Sequence, residues 1–292
     1  MPKRSSLIEL HSAVVLLGAT ALFGKLLTLS PVSIIVGRSF FTVLSLLLVM
    51  KILRVPILLG RKQDVFLLAV SGILLALHWC AFFASIQMST VAIGVLGFAT
   101  YPMFVTFLEP IIFSEKLQFR SVVSAAGVFI GIIFLVPEWN LQNGETLALL
   151  VAVLSGLLLA FFTLVNRKFV RQHHFLQITF YQHLAAGLCM LPFAALLAPL
   201  PMPAEWFLLL ILGVVFTALP QAMLVRSLTE LKAQIVSVSV ALEPVYAILL
   251  AVVILDEIPT PQVLLGGLII MAMVFYATKA PAVRPLTDKP DH

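Results

Sequence analysis

Charge is scarce in this chain. Lys and Arg number 18 and Asp and Glu 13 in 292 residues, so charged side chains make up 11% of the total, where a soluble domain carries roughly 25%. With 61% apolar residues, a chain of this length cannot hide its surface from water, and its solvent over most of its length is lipid. Cysteine is scarcer still. Cys80 and Cys189 are the only two and both lie in apolar runs, which excludes a disulfide framework and makes them small core residues. No phosphate-cradling Walker loop is present, so no ATP-driven pump is encoded. There is no HExxH or paired metal ligand, and no GxSxG elbow with a partnered histidine. No enzyme, metal or cofactor is therefore predicted. The net charge of +5 comes from short loops rather than one basic face, which excludes nucleic acid as a partner. The opening MPKRSS runs straight into an apolar stretch and reads as the approach to a first membrane helix, not a removable signal.

What is present is a series of long apolar runs. A bilayer core needs about 20 apolar residues per helix, and ten runs qualify: 7–24, 32–50, 65–86, 91–112, 120–136, 146–166, 175–197, 205–225, 234–255 and 262–278. They are continuously apolar rather than alternating, which favours helices over barrel strands. Turn chemistry separates them, as in "APLPMPAE" (198–205) and "DEIPTP" (256–261). With the N-terminus in the cytoplasm, sixteen of the 18 Lys and Arg fall on the inside. Lys25 alone falls outside, and Arg38 lies within the second run. That bias predicts both termini in the cytoplasm.

The two halves of the chain are related. At an offset of 142, residues 85–117 lie over 227–259. Ala99 then meets Ala241, Pro102 meets Pro244, Tyr101 meets Glu243 and Glu115 meets Glu257. The first helices align at an offset of 138, through Gly18 with Gly156 and Phe23 with Phe161. Each half holds five runs, and five is odd, so the second half crosses in the opposite sense. The predicted fold is an all-α membrane protein of ten transmembrane helices in two inverted five-helix repeats. Residues 1–140 form the first repeat, 141–280 the second and 281–292 a cytoplasmic tail. Such repeats place a substrate site near the bilayer midplane between them. Pro102 and Pro244 are a symmetric pair of helix interruptions, read either as fixed structural kinks or as shapers of a central cavity.

The carriers of a family resemblance are "YPMFVTFLEPIIFSEKL" (101–117) and "LEPVYAILLAVVILDEIP" (242–259), each followed by a glycine-bearing helix, "SAAGVFIGIIFLVP" and "LLGGLIIMAMVFY". This pattern resembles the ten-helix, EamA-type branch of the drug/metabolite transporter superfamily. "VGRSFF", with Arg38, is similar to an arginine–aromatic pair in that family's second helix. A departure is "LFGK" (22–25), where first helices of the family often carry a tryptophan before a glycine. The resemblance implies export of amino acids or other small metabolites across a bacterial inner membrane. It does not name the substrate.

Intramembrane polar groups are costly and therefore candidates for function. His78 and Trp79 align with Pro220 and Gln221, and Phe104 with Tyr246. The candidate substrate-binding set is His78, Trp79, Phe82, Tyr101, Gln221, Glu243 and Tyr246. Glu243 lies about 15 Å from the inner end of its helix, too deep to reach the interface. Binding a substrate ammonium, carrying a proton in exchange for substrate, and hydrogen bonding to a neighbouring helix all remain open to it. Arg38 either packs on helix-end carbonyls or binds a carboxylate. His78 is either a hydrogen-bonded core residue or a substrate contact or proton relay. Trp79, Phe82, Tyr101 and Tyr246 read as an aromatic wall or as ordinary packing, and Gln221 as a partner of freed backbone or of substrate. His183 and Gln182 read as facing the same interior, without symmetry to support it; His11 reads as interfacial, and His173 and His174 as solvated. Glu115 and Glu257 reach the interface, as helix caps or partners of Lys or Arg. Gly127 and Gly131 have GxxxG spacing for close helix contact, within the chain or across a dimer. The expected partners are a small-molecule substrate and the bilayer, for a monomer or homodimer. Aromatic amino acids lead the substrate list because they stack on Trp79 and Tyr101. Other neutral or cationic metabolites, or lipid scrambling without solute transport, are the alternatives.

Overall fold

A computed structural model describes residues 4–113, 119–136, 140, 142–169, 172–197, 200–223 and 239–278. Glu115, the start of the run at 234 and the tail at 281–292 lie outside the described residues. Among the described residues every regular element is helical. In chain order these are α1 (Arg4–Ala19), a short 3₁₀ turn (Thr20–Leu22), α2 (Phe23–Leu26), α3 (Pro31–Ile52), α4 (Lys62–Met88), α5 (Val91–Phe98) and α6 (Tyr101–Phe113). Then follow α7 (Phe119–Leu135), α8 (Gly144–Phe169), α9 (Phe175–Leu197), α10 (Pro203–Gly213), a π-turn (Val214–Ala218), α11 (Glu243–Leu255) and α12 (Pro261–Thr278).

Seven stretches among the described residues are long and apolar enough to cross a membrane, namely Ser6–Leu26, Pro31–Ile52, Lys62–Met88, Val91–Ile112, Gly144–Asn166, Phe175–Leu196 and Pro203–Met223. Three shorter apolar helices, Val122–Leu135, Glu243–Leu255 and Pro261–Tyr276, accompany them. The protein is thus a multi-pass, all-helical membrane protein. Large apolar side chains such as Leu48, Phe129, Leu196 and Val253 are exposed, as a lipid-facing surface requires.

Local chemistry sets the helix ends. Ser30 accepts from Ser33 N, with Pro31 as the first residue of α3, where the missing N–H costs nothing. Thr90 accepts from Ile93 N to start α5, and Asp256 ends α11 in the left-handed region.

In the bundle α4 packs on α8 and α9, α3 on α9 and α10, α5 on α8 and α11, α1 on α11, and α7 on α12. The main core gathers Phe23, Leu75, Trp79, Phe83, Phe98, Leu209 and Ala247. The GxxxG pair of α7 is used inside the chain. A Cβ on Gly131 would lie 3.0 Å from Gly266 O of α12, and one on Gly127 would collide with Met273. Without a hydrophobic drive between helices in lipid, such small-residue contacts supply the dispersion energy that holds them.

Candidate functional site

The site is built around two interrupted helices. The α5–α6 helix breaks at Ala99 and Thr100, and α11 begins at Glu243 after a turn at 241–242. Pro102 and Pro244 do not kink continuous helices, as their sequence context suggests. Each is the second residue of the helix that follows the break, where its missing N–H is one of the orphans of any helix start. Pro110 and Pro192 lie inside α6 and α9. Tyr101 and Glu243 are consequently the first residues of two half-helices. Unpaired N–H groups and the helix dipole make such an end electropositive.

A glycine backs each break. A Cβ on Gly18 of α1 would lie 3.0 Å from both Glu243 O and Ala247 N. A Cβ on Gly156 of α8 would lie 3.0 Å from Phe98 O and 3.3 Å from Tyr101 N. Glu243 and Tyr101 are each partly buried. The carboxylate of Glu243 has no hydrogen-bond partner among the described residues, so the bonding to a neighbouring helix that its sequence left open is not made here.

Arg38 of α3 reaches the same region. It is 3% exposed, and its guanidinium carbon lies 3.9 Å from the centre of the Trp79 ring on α4. Its Nε donates to Thr217 Oγ1 at 2.8 Å, while Nη1 has no partner among the described residues. Glu243 makes no ion pair with Arg38 among the described residues; the two are linked through Thr217, Phe216, Thr20 and Gly18. The π-turn of α10 makes this possible. It points Thr217 at Arg38 while Thr217 Oγ1 donates to Leu212 O, and it leaves Phe216 O free to accept from Thr20 of the 3₁₀ turn. Local π-turns of this kind recur at functional sites.

The other candidates fall into separate contacts. His78 Nδ1 lies 3.0 Å from Ser155 O of α8. A carbonyl only accepts, so Nδ1 carries the hydrogen. Ser155 Oγ donates back to His78 O. His78 is thus tied into the core, with its ring against Phe82 and Phe98. Phe82, Phe98 and Tyr101 form a continuous aromatic path, Phe98 stacking on Tyr101 at 5.8 Å. Tyr246 turns to His11, 3.1 Å from Oη to Nδ1, which makes His11 a partner of α11. Gln221 keeps a buried, unpartnered Oε1 about one turn beyond Thr217. His183 edges onto Trp79 at 5.2 Å, its Nδ1 bonded to Thr179 O and its Nε2 unpartnered. His174 is exposed, as its loop context suggests, and its Nδ1 accepts from Leu176 N. His173 is instead partly buried and meets Asp64 Oδ2 of α4 at 3.0 Å. Ser155 and Thr217 were not among the candidates, and Arg38 and His183 were weighed only outside the substrate-binding set. Neither hydroxyl carries a signal in the sequence, because a serine or threonine in an apolar run ordinarily bonds its own helix.

The comparisons with known proteins decide the family. Residues 6–136 and again 146–278 match the EamA-like transporter family. The chain belongs to the EamA-like transporter family. An uncharacterized transporter of Archaeoglobus fulgidus is 26% identical over 270 residues, covering 91% of this chain and 93% of that one. The uncharacterized transporter YxxF of Bacillus subtilis is 26% identical over 219 residues, covering 72% of this chain and 69% of its own. A solved crystal structure shares the fold with a TM-score of 0.66 at 17% identity, covering 94% of this chain and 97% of that one.

In this EamA-like transporter the helix ends around Lys25 are clasped. Glu257 Oε2 accepts from Val91 N at the start of α5, and Glu257 Oε1 lies 3.7 Å from Lys25 Nζ, which also donates to Ser89 O. Thr28 donates to Glu205, which accepts from Met202 N as well. A cleft of about 140 Å³ lies beside the clasp, bounded by Thr90, Ile93, Ile248 and Val263. It is not lined by Arg38, Trp79 or Glu243. Glu257→Gln removes the charge partner of Lys25 and is expected to loosen this end. A cysteine placed at Thr90 should then react with a water-soluble maleimide several-fold faster than in the Glu257 background. Equal labelling rates would show that the clasp does not close this face.

Proposed function

We propose that this protein is a secondary transporter that exports small metabolites across a bacterial inner membrane by alternating access. Amino acids are its substrates, aromatic ones first. The observation that supports this reading is the pair of half-helix starts, Tyr101 and Glu243, equivalent by the internal repeat and each backed by a glycine, with Arg38 on Trp79 linked to the second through Thr217, Phe216 and Thr20. A substrate with an aromatic ring stacks along Phe98 and Tyr101 or on Trp79.

The arrangement of ten helices as two inverted halves, 1–140 and 141–280, supports alternating access. In its favour, the family matches each half separately. The packing repeats as well: α1 lies on α11 as α8 lies on α5 and α6, and α3 lies on α9, its counterpart in the other half. Gly18 and Gly156 press on equivalent breaks. The proposal places both termini in the cytoplasm, from the Lys and Arg bias, and has a monomer or homodimer working in the bilayer without a cofactor. The candidate substrate contacts are Trp79, Tyr101, Gln221 and Glu243, with Phe82 behind them.

Counterflow in liposomes tests it. Vesicles loaded with unlabelled phenylalanine should accumulate labelled phenylalanine only when they hold the protein. Lipid flip without flux of any solute would overturn the reading. Trp79→Ala removes the ring beneath Arg38 and is expected to weaken substrate binding about tenfold. Unchanged affinity in a ligand-dependent thermal shift would remove Trp79 from the site.

A further inference from the structure

Arg38 and Glu243 are opposite charges joined by one chain of contacts: Arg38 donates to Thr217, the neighbouring Phe216 O accepts from Thr20, and Gly18, two residues before Thr20, backs Glu243 O. Arg38 is held on two sides, by the face of Trp79 and by Thr217 Oγ1, while its Nη1 has no partner among the described residues. Glu243 stands at the start of α11 with no hydrogen bond to its carboxylate among the described residues. No ion pair joins Arg38 to Glu243 among the described residues, as one joins Lys25 to Glu257 and His173 to Asp64. Separated buried ions are an unfavourable arrangement, because the desolvation cost stands and the attraction is only partly realised. Proteins close such gaps by moving the groups together. Here the backbone resists that. Arg38 is pinned by Thr217, and the start of α11 is pinned against Gly18.

The ligand that removes both penalties carries both charges. An anion alone would face the Glu243 carboxylate at low dielectric, and a cation alone would face the guanidinium. A molecule with a carboxylate and an ammonium opposes every charge with its opposite. The donors and acceptors left over agree with this. The free donor, Arg38 Nη1, matches a carboxylate. The free acceptors, Glu243 and the buried Gln221 Oε1 on the Thr217 helix, match an ammonium. The planar fork of Arg38 suits a carboxylate in particular.

We infer that Arg38 and Glu243 together select zwitterions, Arg38 taking the carboxylate of the transported molecule and Glu243 its ammonium; this rests on the transporter reading above. Arg38 is then a specificity-determining residue of the same site, and the stacked Trp79 is its positioning partner.

The test holds the aromatic ring constant and varies the charges. Phenylalanine, phenethylamine and 3-phenylpropionate are compared on the detergent-purified full chain by the quenching of tryptophan fluorescence and by thermal shift. The wild type should bind phenylalanine about 10- to 100-fold more tightly than either single-charge analogue, the range for loss of one charge-assisted contact. In Arg38→Gln the preference over phenethylamine should collapse while phenethylamine binds as well as before or better. In Glu243→Gln the preference over 3-phenylpropionate should collapse instead. Wild-type protein that binds all three alike, or the amine best, overturns the inference without any variant having to fold. So does an Arg38→Gln protein that loses all three ligands in equal proportion, which is the mark of a structural role. Counterflow of labelled phenethylamine without counterflow of phenylalanine would overturn zwitterion selection and leave transport standing. Flux of no solute at all would instead remove the transporter reading beneath it.

Discussion

Glu243→Gln is expected to lower transport by about 10- to 100-fold while the protein purifies and melts close to wild type. The magnitude follows from the loss of one charge-assisted contact in a water-poor site. Folding should survive because the carboxylate holds nothing together: it has no hydrogen-bond partner among the described residues, and the start of α11 is set by Pro244 and by packing on Gly18. Glutamine keeps the shape and removes the charge. Initial rates in liposomes, with and without an imposed pH gradient, separate the two roles that remain. If Glu243 carries a proton, the gradient drives the wild type and not the mutant. If it binds the ammonium of the substrate, the mutant loses affinity and the gradient dependence of the two proteins is the same. Wild-type rates in the mutant at every pH would remove Glu243 from the mechanism.

The second large effect concerns packing. Leucine at Gly18 or at Gly156 should destabilise the protein by about 1–3 kcal/mol or more and abolish transport. The first atom of either new side chain would already stand 3.0 Å from a backbone atom of the opposite helix. A backbone atom cannot rotate aside as a side chain can, so α1 must leave α11, or α8 must leave the α5–α6 break. Those separations would displace Glu243 and Tyr101, the two residues that begin the half-helices. Gly60→Leu is the control, since a Cβ there meets nothing within 4 Å, and it should change neither the melting temperature nor the counterflow rate. A Gly18→Leu protein as stable and active as the wild type would show that the two half-helix starts are not held from behind.

Much of this architecture was legible in the chain. Where the surroundings are hydrocarbon, a helix must satisfy its own backbone, so an apolar run of sufficient length announces itself regardless of its neighbours. That is why runs such as 65–86 and 175–197 reappear as α4 and α9 with ends shifted by only a few residues. The paired prolines were legible too, as was the costliness of Glu243. Other features were not. That the α5–α6 helix breaks at Ala99 and Thr100, rather than bending at Pro102, depends on Gly156 lying against Phe98 O and Tyr101 N. His78 was a candidate by depth, but Ser155 lies 77 residues further along the chain and nothing local points to the bond between them. Tyr246 shares a turn with Glu243, yet its hydroxyl is turned to His11, 235 residues away.

The sequence by itself determined that this is a membrane protein of apolar helices, that its halves are related, and that Arg38 and Glu243 are charges with no local reason to be so deep. Burial cost and helix length are properties of a segment and its solvent, so they can be read along one dimension. Only the tertiary structure decided which polar groups share a site. It set Arg38 over Trp79 beside Thr217, seated the start of α11 against Gly18, and led His78 to Ser155 and Tyr246 to His11. Those choices depend on how α3, α4, α10 and α11 rotate against one another, and helix rotation is set by small-residue contacts between distant segments that no single segment encodes.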